Sequence, residues 1–96
     1  MRITYDAEKR ARTLRERGLD FERCGEIFDG TELTRQDTRS EYGESRWITV
    51  GHLDQRLVVT VWTERDGGRR IISLRKANER EQARFVARLG SDDVAR

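Results

Sequence analysis

The side chains best suited to chemistry fall in three stretches with strand patterns, "RWITVGH" (46–52), "RLVVTVWTE" (56–64) and "RRIISLR" (69–75). A strand sends alternate residues to opposite faces, so parity sorts the candidates. In the second stretch Leu57, Val59 and Val61 share one face, read as core, while Val58, Thr60, Trp62 and Glu64 share the other. In the third, Ile72 and Leu74 share the parity of Arg70, and Ile71, Ser73 and Arg75 take the opposite one. Pairing the polar parities predicts a sheet face that displays Thr60, Trp62, Glu64, Ser73 and Arg75, with Arg46 and Lys76 near its edge. Cations, a carboxylate and an aromatic plane are what phosphate gripping and base stacking require. The same pattern equally describes the solvated side of a half-open antiparallel sheet, with Trp62 covered by a helix and Glu64 ion-paired to Arg65 or Arg75. Trp47 reads more simply as core than as a stacking platform.

Other chemistries find no support in the residues. The single cysteine, Cys24, excludes an internal disulfide and a Cys-based zinc site, and the single histidine, His52, excludes a His cluster. His52 sits at an expected hairpin end, where a lone histidine is ordinarily just solvated. Glycines 18, 25, 30, 67 and 68 make no phosphate-loop fingerprint, and no Ser-His-Asp arrangement can be drawn. What remains feasible is metal-free cleavage of RNA, in which the substrate's own 2′-OH attacks the neighbouring phosphate. The protein then positions the strand, neutralises the phosphorane with Arg or Lys, and offers a group for proton transfer.

Several elements must position these residues. Ile3 and Tyr5 alternate in a short strand, and Asp6 is a good N-cap for a helix over residues 7–17 that ends at Gly18. Ala7, Ala11 and Leu14 share one face of that helix. Asp20 can cap a second helix, in which Phe21, Cys24, Gly25 and Phe28 recur at helical spacing, making Cys24 a buried small apolar residue. "TELTRQD" reads as a short edge strand and "TRSEYGE" as polar loop. The links "LDQ" and "RDGG" are of hairpin length, so the three main strands form an antiparallel meander. Asn78 and Glu81 make a capping box for a last helix that runs to Leu89 and stops at Gly90, leaving "SDDVAR" as a frayed tail. The expected fold class is α+β, with two N-terminal helices and one C-terminal helix on an antiparallel sheet, in a single domain over residues 1–90 followed by a tail over 91–96.

The composition sets limits on the core and the partner. A chain of 96 residues with 34% hydrophobic and 40% charged residues has a small core, little margin, and reason to lean on a partner. Its net charge of +2 divides unevenly, −2 over residues 1–45 and +4 over residues 46–96. Eighteen of the twenty cations are Arg, whose planar fork suits phosphate; a GC-rich coding sequence would produce the same bias. No apolar run approaches a membrane span and the N-terminus lacks a signal-peptide apolar region, so a cytoplasmic location is expected.

Taken in order, "YDAEK", "LRERGLDF", "IFD", "DTRSEYGESRWITVG", "RLVVTVWTER" and "RRIISLRKANERE" resemble the BrnT family of toxins from bacterial type II toxin–antitoxin modules. The resemblance runs from Tyr5 to about Phe85, and its most specific parts are Tyr42-Gly43-Glu44-x-Arg46, Thr63-Glu64-Arg65 and the run at 71–77. It implies a RelE-like fold, metal-independent ribonuclease activity that slows translation, no cofactor, and a cognate antitoxin, BrnA-like with a ribbon-helix-helix DNA-binding domain. That partner would neutralise the toxin and carry the complex, a heterotetramer built on an antitoxin dimer, to operator DNA. Under the resemblance the catalytic candidates are Glu64, Arg75, Arg46 and Glu44, with either glutamate as base. The RNA-binding candidates are Lys76, Arg80, Trp62 and Arg65. The chain departs from the family at Arg17, where a histidine is usual, and at Thr13, where asparagine is frequent. Loss of a catalytic histidine would weaken the enzyme, leaving a toxin fold that serves mainly as the antitoxin's partner. Loss of a merely packing histidine would leave Arg17 as a favourable charge at a helix C-terminus.

Overall fold

In a computed structural model, which describes residues 1–39 and 41–94, the chain opens with β1 (Ile3–Tyr5) and α1 (Ala7–Arg17). A 3₁₀ turn (Phe21–Arg23) leads into α2 (Cys24–Asp29), then come β2 (Glu32–Asp37), β3 (Arg46–Leu53), β4 (Arg56–Arg65), β5 (Gly68–Lys76) and α3 (Glu79–Val94). The fold is α+β, with one sheet in the order β1-β5-β4-β3-β2. Strands β2 to β5 are antiparallel as expected, and β1 adds itself parallel to β5, a pairing that three residues of pattern could not announce.

Local chemistry explains the element ends. Asp6 accepts from the amides of Glu8 and Lys9, and Gly18 closes α1 in the left-handed region with φ 69°, its N–H reaching the Leu14 carbonyl. The β3–β4 turn carries Asp54 and Gln55 at φ 52° and 66°, and the β4–β5 turn carries Asp66 and Gly67 at φ 52° and 76°. Two consecutive positive φ values match the right-handed twist of hairpin strands, hence these two-residue connections. Asn78 and Glu81 form the reciprocal capping box, each side chain accepting from the other's amide at 2.8 and 2.9 Å. The stop expected at Gly90 is corrected: α3 continues to Val94, since a helical glycine costs only about 1 kcal/mol relative to alanine and no proline follows. Residues 95 and 96 of the expected tail lie outside the described residues.

The main core lies on one side of the sheet, where Leu19, Phe21, Cys24 and Ile27 pack on Leu53, Val58, Trp62, Ile71 and Leu74. At Gly51 any Cβ would lie 2.9 Å from Ile27 Cγ2, so the close approach of α2 to β3 requires glycine. The opposite side holds a smaller cluster of Ile48, Val59 and Ala77, with Val50, Leu57 and Val61 beside it.

This arrangement reverses the expected faces of β4. Val58, Thr60 and Trp62 point into the main core, and Leu57, Val59 and Val61 lie on the more open side. Both parities of β4 are apolar enough to be buried, so alternation could not say which one the helices cover. A bulge compounds the error. Val61 pairs with Ser73 but Trp62 with Ile71, leaving Ile72 without a partner and shifting the phase of β5. Ile71 and Leu74 are therefore the core residues, Ile72 is only half-buried, and Arg75 and Glu64 emerge on opposite faces.

Candidate functional site

The open side of the sheet gathers four of the eight candidate side chains, Glu44, Arg46, Arg65 and Arg75. Arg46 begins β3 opposite Thr63, and Arg65 follows two residues later along β4, so both guanidiniums leave the same face. Between them the loop before β3 places Glu44, which accepts from Arg46 Nε at 3.3 Å and from an Arg65 terminal nitrogen at 3.2 Å. Glu44 and Arg46 are half-buried, and Arg46 lies 4.0 Å over the centre of the Tyr42 ring, which fixes its plane. The loop carrying Tyr42 and Glu44 is anchored in turn by Asp37. This buried carboxylate accepts from Nε and one terminal nitrogen of Arg39 at 2.8 Å and from the Tyr42 hydroxyl at 3.1 Å, and Arg39 holds it well below the usual carboxylate range. The result is a carboxylate between two cations at the mouth of an open cleft, able to take a proton while the guanidiniums hold an anion.

Arg75 shares this face but stands apart from the cluster. It pairs across the sheet with Val59, four residues before Thr63, a separation of about 13 Å along β4. Both its terminal nitrogens donate to Glu81 at 2.7 Å, and the pairing lowers Glu81 to about 2 from 4.5. Arg39 comes close enough for its charge to oppose that of Arg75, so the loop and the strand contribute to one basic field.

The other sequence candidates lie elsewhere. Glu64 is exposed on the opposite face, across from Arg69. Trp62, expected as a stacking surface, is only 4% exposed. Phe28 and Trp47 pack on it, Arg69 lies 3.9 Å over it, and its Nε1 donates to Thr49. Lys76 leaves on the same side as Glu64, and Arg80 is exposed in the first turn of α3. His52 is exposed with its ring against Phe85, 5.4 Å between centres. Cys24 is buried, and burial pushes its thiol up to about 12, far from a reactive thiolate. Arg17 donates to the Leu74 carbonyl at 2.8 Å, at the edge of β5 beyond the reach of β1, which pairs only as far as Ile71. Sequence reasoning missed Tyr42, Asp37, Arg39 and Glu81. Glu81 had a signal in its capping-box position and Tyr42 in the Tyr42-Gly43-Glu44 stretch, though neither pointed to the Arg75 or Asp37 contact.

Among the described residues no group of three or more His, Cys, Asp and Glu is placed to hold a metal ion. No helix among them is long and apolar enough to cross a membrane. No curated protein matches the chain. One family model does, over residues 5–81, and it is described as "Ribonuclease toxin, BrnT, of type II toxin-antitoxin system".

Proposed function

The chain belongs to the BrnT family of ribonuclease toxins from type II toxin–antitoxin systems, and on that premise we propose that it is a metal-independent endoribonuclease whose site is the Glu44–Arg46–Arg65 cluster. The observation that carries this reading is the half-buried carboxylate flanked by two guanidiniums at 3.3 and 3.2 Å. Glu44 takes the proton of a ribose 2′-OH, and the 2′-oxygen attacks the adjacent phosphorus. The bond to the 5′-oxygen breaks, that oxygen takes a proton from water, and a 2′,3′-cyclic phosphate and a 5′-OH result. Arg46 and Arg65 stabilise the charge on the phosphorane, and Arg75 grips a neighbouring phosphate. Glu64, on the far side of the sheet, gives way to Glu44 as the base, and Lys76 and Arg80 are peripheral contacts.

Cleavage of this kind would inhibit translation. The family implies an antitoxin partner; that partner would neutralise the toxin and, through a ribbon-helix-helix domain in a heterotetramer, bring it to operator DNA. The two N-terminal helices and one C-terminal helix packed with an antiparallel β2–β5 sheet support the RelE-like grouping.

The test is cleavage of RNA by the purified protein in EDTA, with the new ends mapped. Cyclic phosphate ends are expected, and Glu44→Gln should lower kcat roughly a hundredfold or more. Activity that returns only with added divalent metal would overturn the metal independence, and full activity in Glu44→Gln would remove the site. A second reading, a catalytically weak toxin fold acting mainly as the antitoxin's partner, draws on Arg17, which occupies the usual histidine position and is engaged by the Leu74 carbonyl. Under it, induction of the gene alone leaves bacterial growth unchanged.

A further inference from the structure

A cleft of about 180 Å³ runs between α3 and the edge strand β2, on the same side of the sheet as Glu44, Arg46 and Arg75. Its floor is apolar, made of Leu33, Ile48, Val50 and Phe85. Its rim carries Arg35, Arg84 and Arg88, all exposed. Among the described residues the one lining carboxylate, Glu81, is already engaged by Arg75. The cover over this face is slight. Within residues 79–89 of α3 only Phe85 is buried, and Val86 is 67% exposed.

We propose that the antitoxin docks in this cleft through a segment whose apolar side chains are flanked by Asp or Glu. The inference rests on the family reading, which supplies the partner but not the place. Charge complementarity selects an acidic occupant, and the floor selects a peptide over RNA. Phosphates would satisfy the three guanidiniums yet offer nothing to Leu33, Ile48 and Val50. The one aromatic ring at the floor, Phe85, is buried with its neighbour His52 against it, leaving no open plane for a base. β2 is also the edge of the sheet, so its outer backbone groups are available to an added segment. Leu33 and Asp37 lie on the same face of β2, so an occupant of the cleft stands next to the loop that holds Glu44 and can block the RNA path.

The experiment pairs the purified toxin with the protein encoded by the neighbouring gene and compares wild type with the Arg84→Glu/Arg88→Glu double variant. Both side chains are exposed, so the fold should persist, which circular dichroism checks. The expected result is at least a tenfold loss of affinity by calorimetry, steeper at low salt, with RNA cleavage by the free toxin unchanged. Hydrogen exchange in the wild-type complex should show protection of β2 and of α3. Unchanged affinity, or protection confined to other elements, overturns the proposal. A tenfold loss of RNA affinity with antitoxin affinity intact assigns the cleft to RNA and also overturns it. Absence of any complex with the wild-type toxin overturns the partner reading and the docking surface with it, whereas loss of cleavage alone leaves the docking result standing.

Discussion

The two sides of the sheet are built from the same strands and finished in opposite ways. On the side under the 3₁₀ turn and α2, Phe21, Cys24, Ile27, Val58, Trp62, Ile71 and Leu74 are all buried, and the polar atoms among them are consumed internally. Trp62 donates to Thr49, Thr49 bonds Thr34, Thr60 donates to the Ser73 carbonyl, and Cys24 lies 3.8 Å from Thr60. On the other side the buried cluster is Ile48, Val59 and Ala77, and around it stand the ion pairs of Asp37, Glu44 and Glu81 with arginines that solvent can reach. On one side lies most of the apolar burial, and among the described residues its buried polar side-chain atoms all have partners. The other has charges held in place but little covering them. A small domain that must both fold and bind an anion can divide the two tasks between sheet faces, because a strand presents independent residue sets to each.

The largest effect should come from breaking the closed side. Phe21 is 1% exposed and stacks edge-on against Tyr5, so Phe21→Ala should cost about 3–5 kcal/mol in urea unfolding. Val61→Ala on the open side, at a half-buried position, should cost about 1 kcal/mol. Equal losses in the two variants would mean that the open side carries as much of the fold as the closed one, and the division of tasks would fail.

A smaller effect separates structure from chemistry within the open side itself. Glu81 caps α3 and binds Arg75 at once, and its folded value of about 2 lies below its ordinary 4.5. For a depressed carboxylate the stabilisation is complete above pH 4.5 and is lost as pH falls toward 2. Solvent screens a pair whose arginine is 43% exposed, so Glu81→Gln should cost on the order of 1 kcal/mol at pH 7. The gap to wild type should close in melts run between pH 4.5 and pH 2. A gap that persists at pH 2 would show that the variant has damaged packing and not an ion pair.

These contrasts also explain what was legible in the sequence. Asp6, Gly18, Asn78 and the Asp-Gly turn act on backbone groups within a few residues, so caps, turns and nearly every element could be read directly. Faces could not. Val58 and Val59 are both buried, on opposite sides, and the bulge at Ile72 leaves no mark in composition. The candidate site was legible as residue types near the right strands. Glu44 with Arg46 and Arg65 depends on a loop folding back over β3, however, and Asp37 with Arg39 and Tyr42 holds that loop through contacts no periodicity encodes.

The smallest expected effect is the sharpest test of the comparison. Parity alone pairs Glu64 with Arg75 as a catalytic couple, but the unpaired Ile72 turns Arg75 to the Val59 side, while Glu64 stays on the Trp62 side, exposed opposite Arg69. Glu64→Gln should therefore change stability by no more than about 0.5 kcal/mol and leave RNA cleavage within twofold of wild type. Glu44→Gln should lower activity from the other side of the same sheet. The two substitutions are chemically identical and differ only in the face they alter, so kcat measured side by side reads the face directly. A tenfold loss in Glu64→Gln, with its melting curve unmoved, would place the reacting group on the closed side and reverse the assignment of tasks to the two faces.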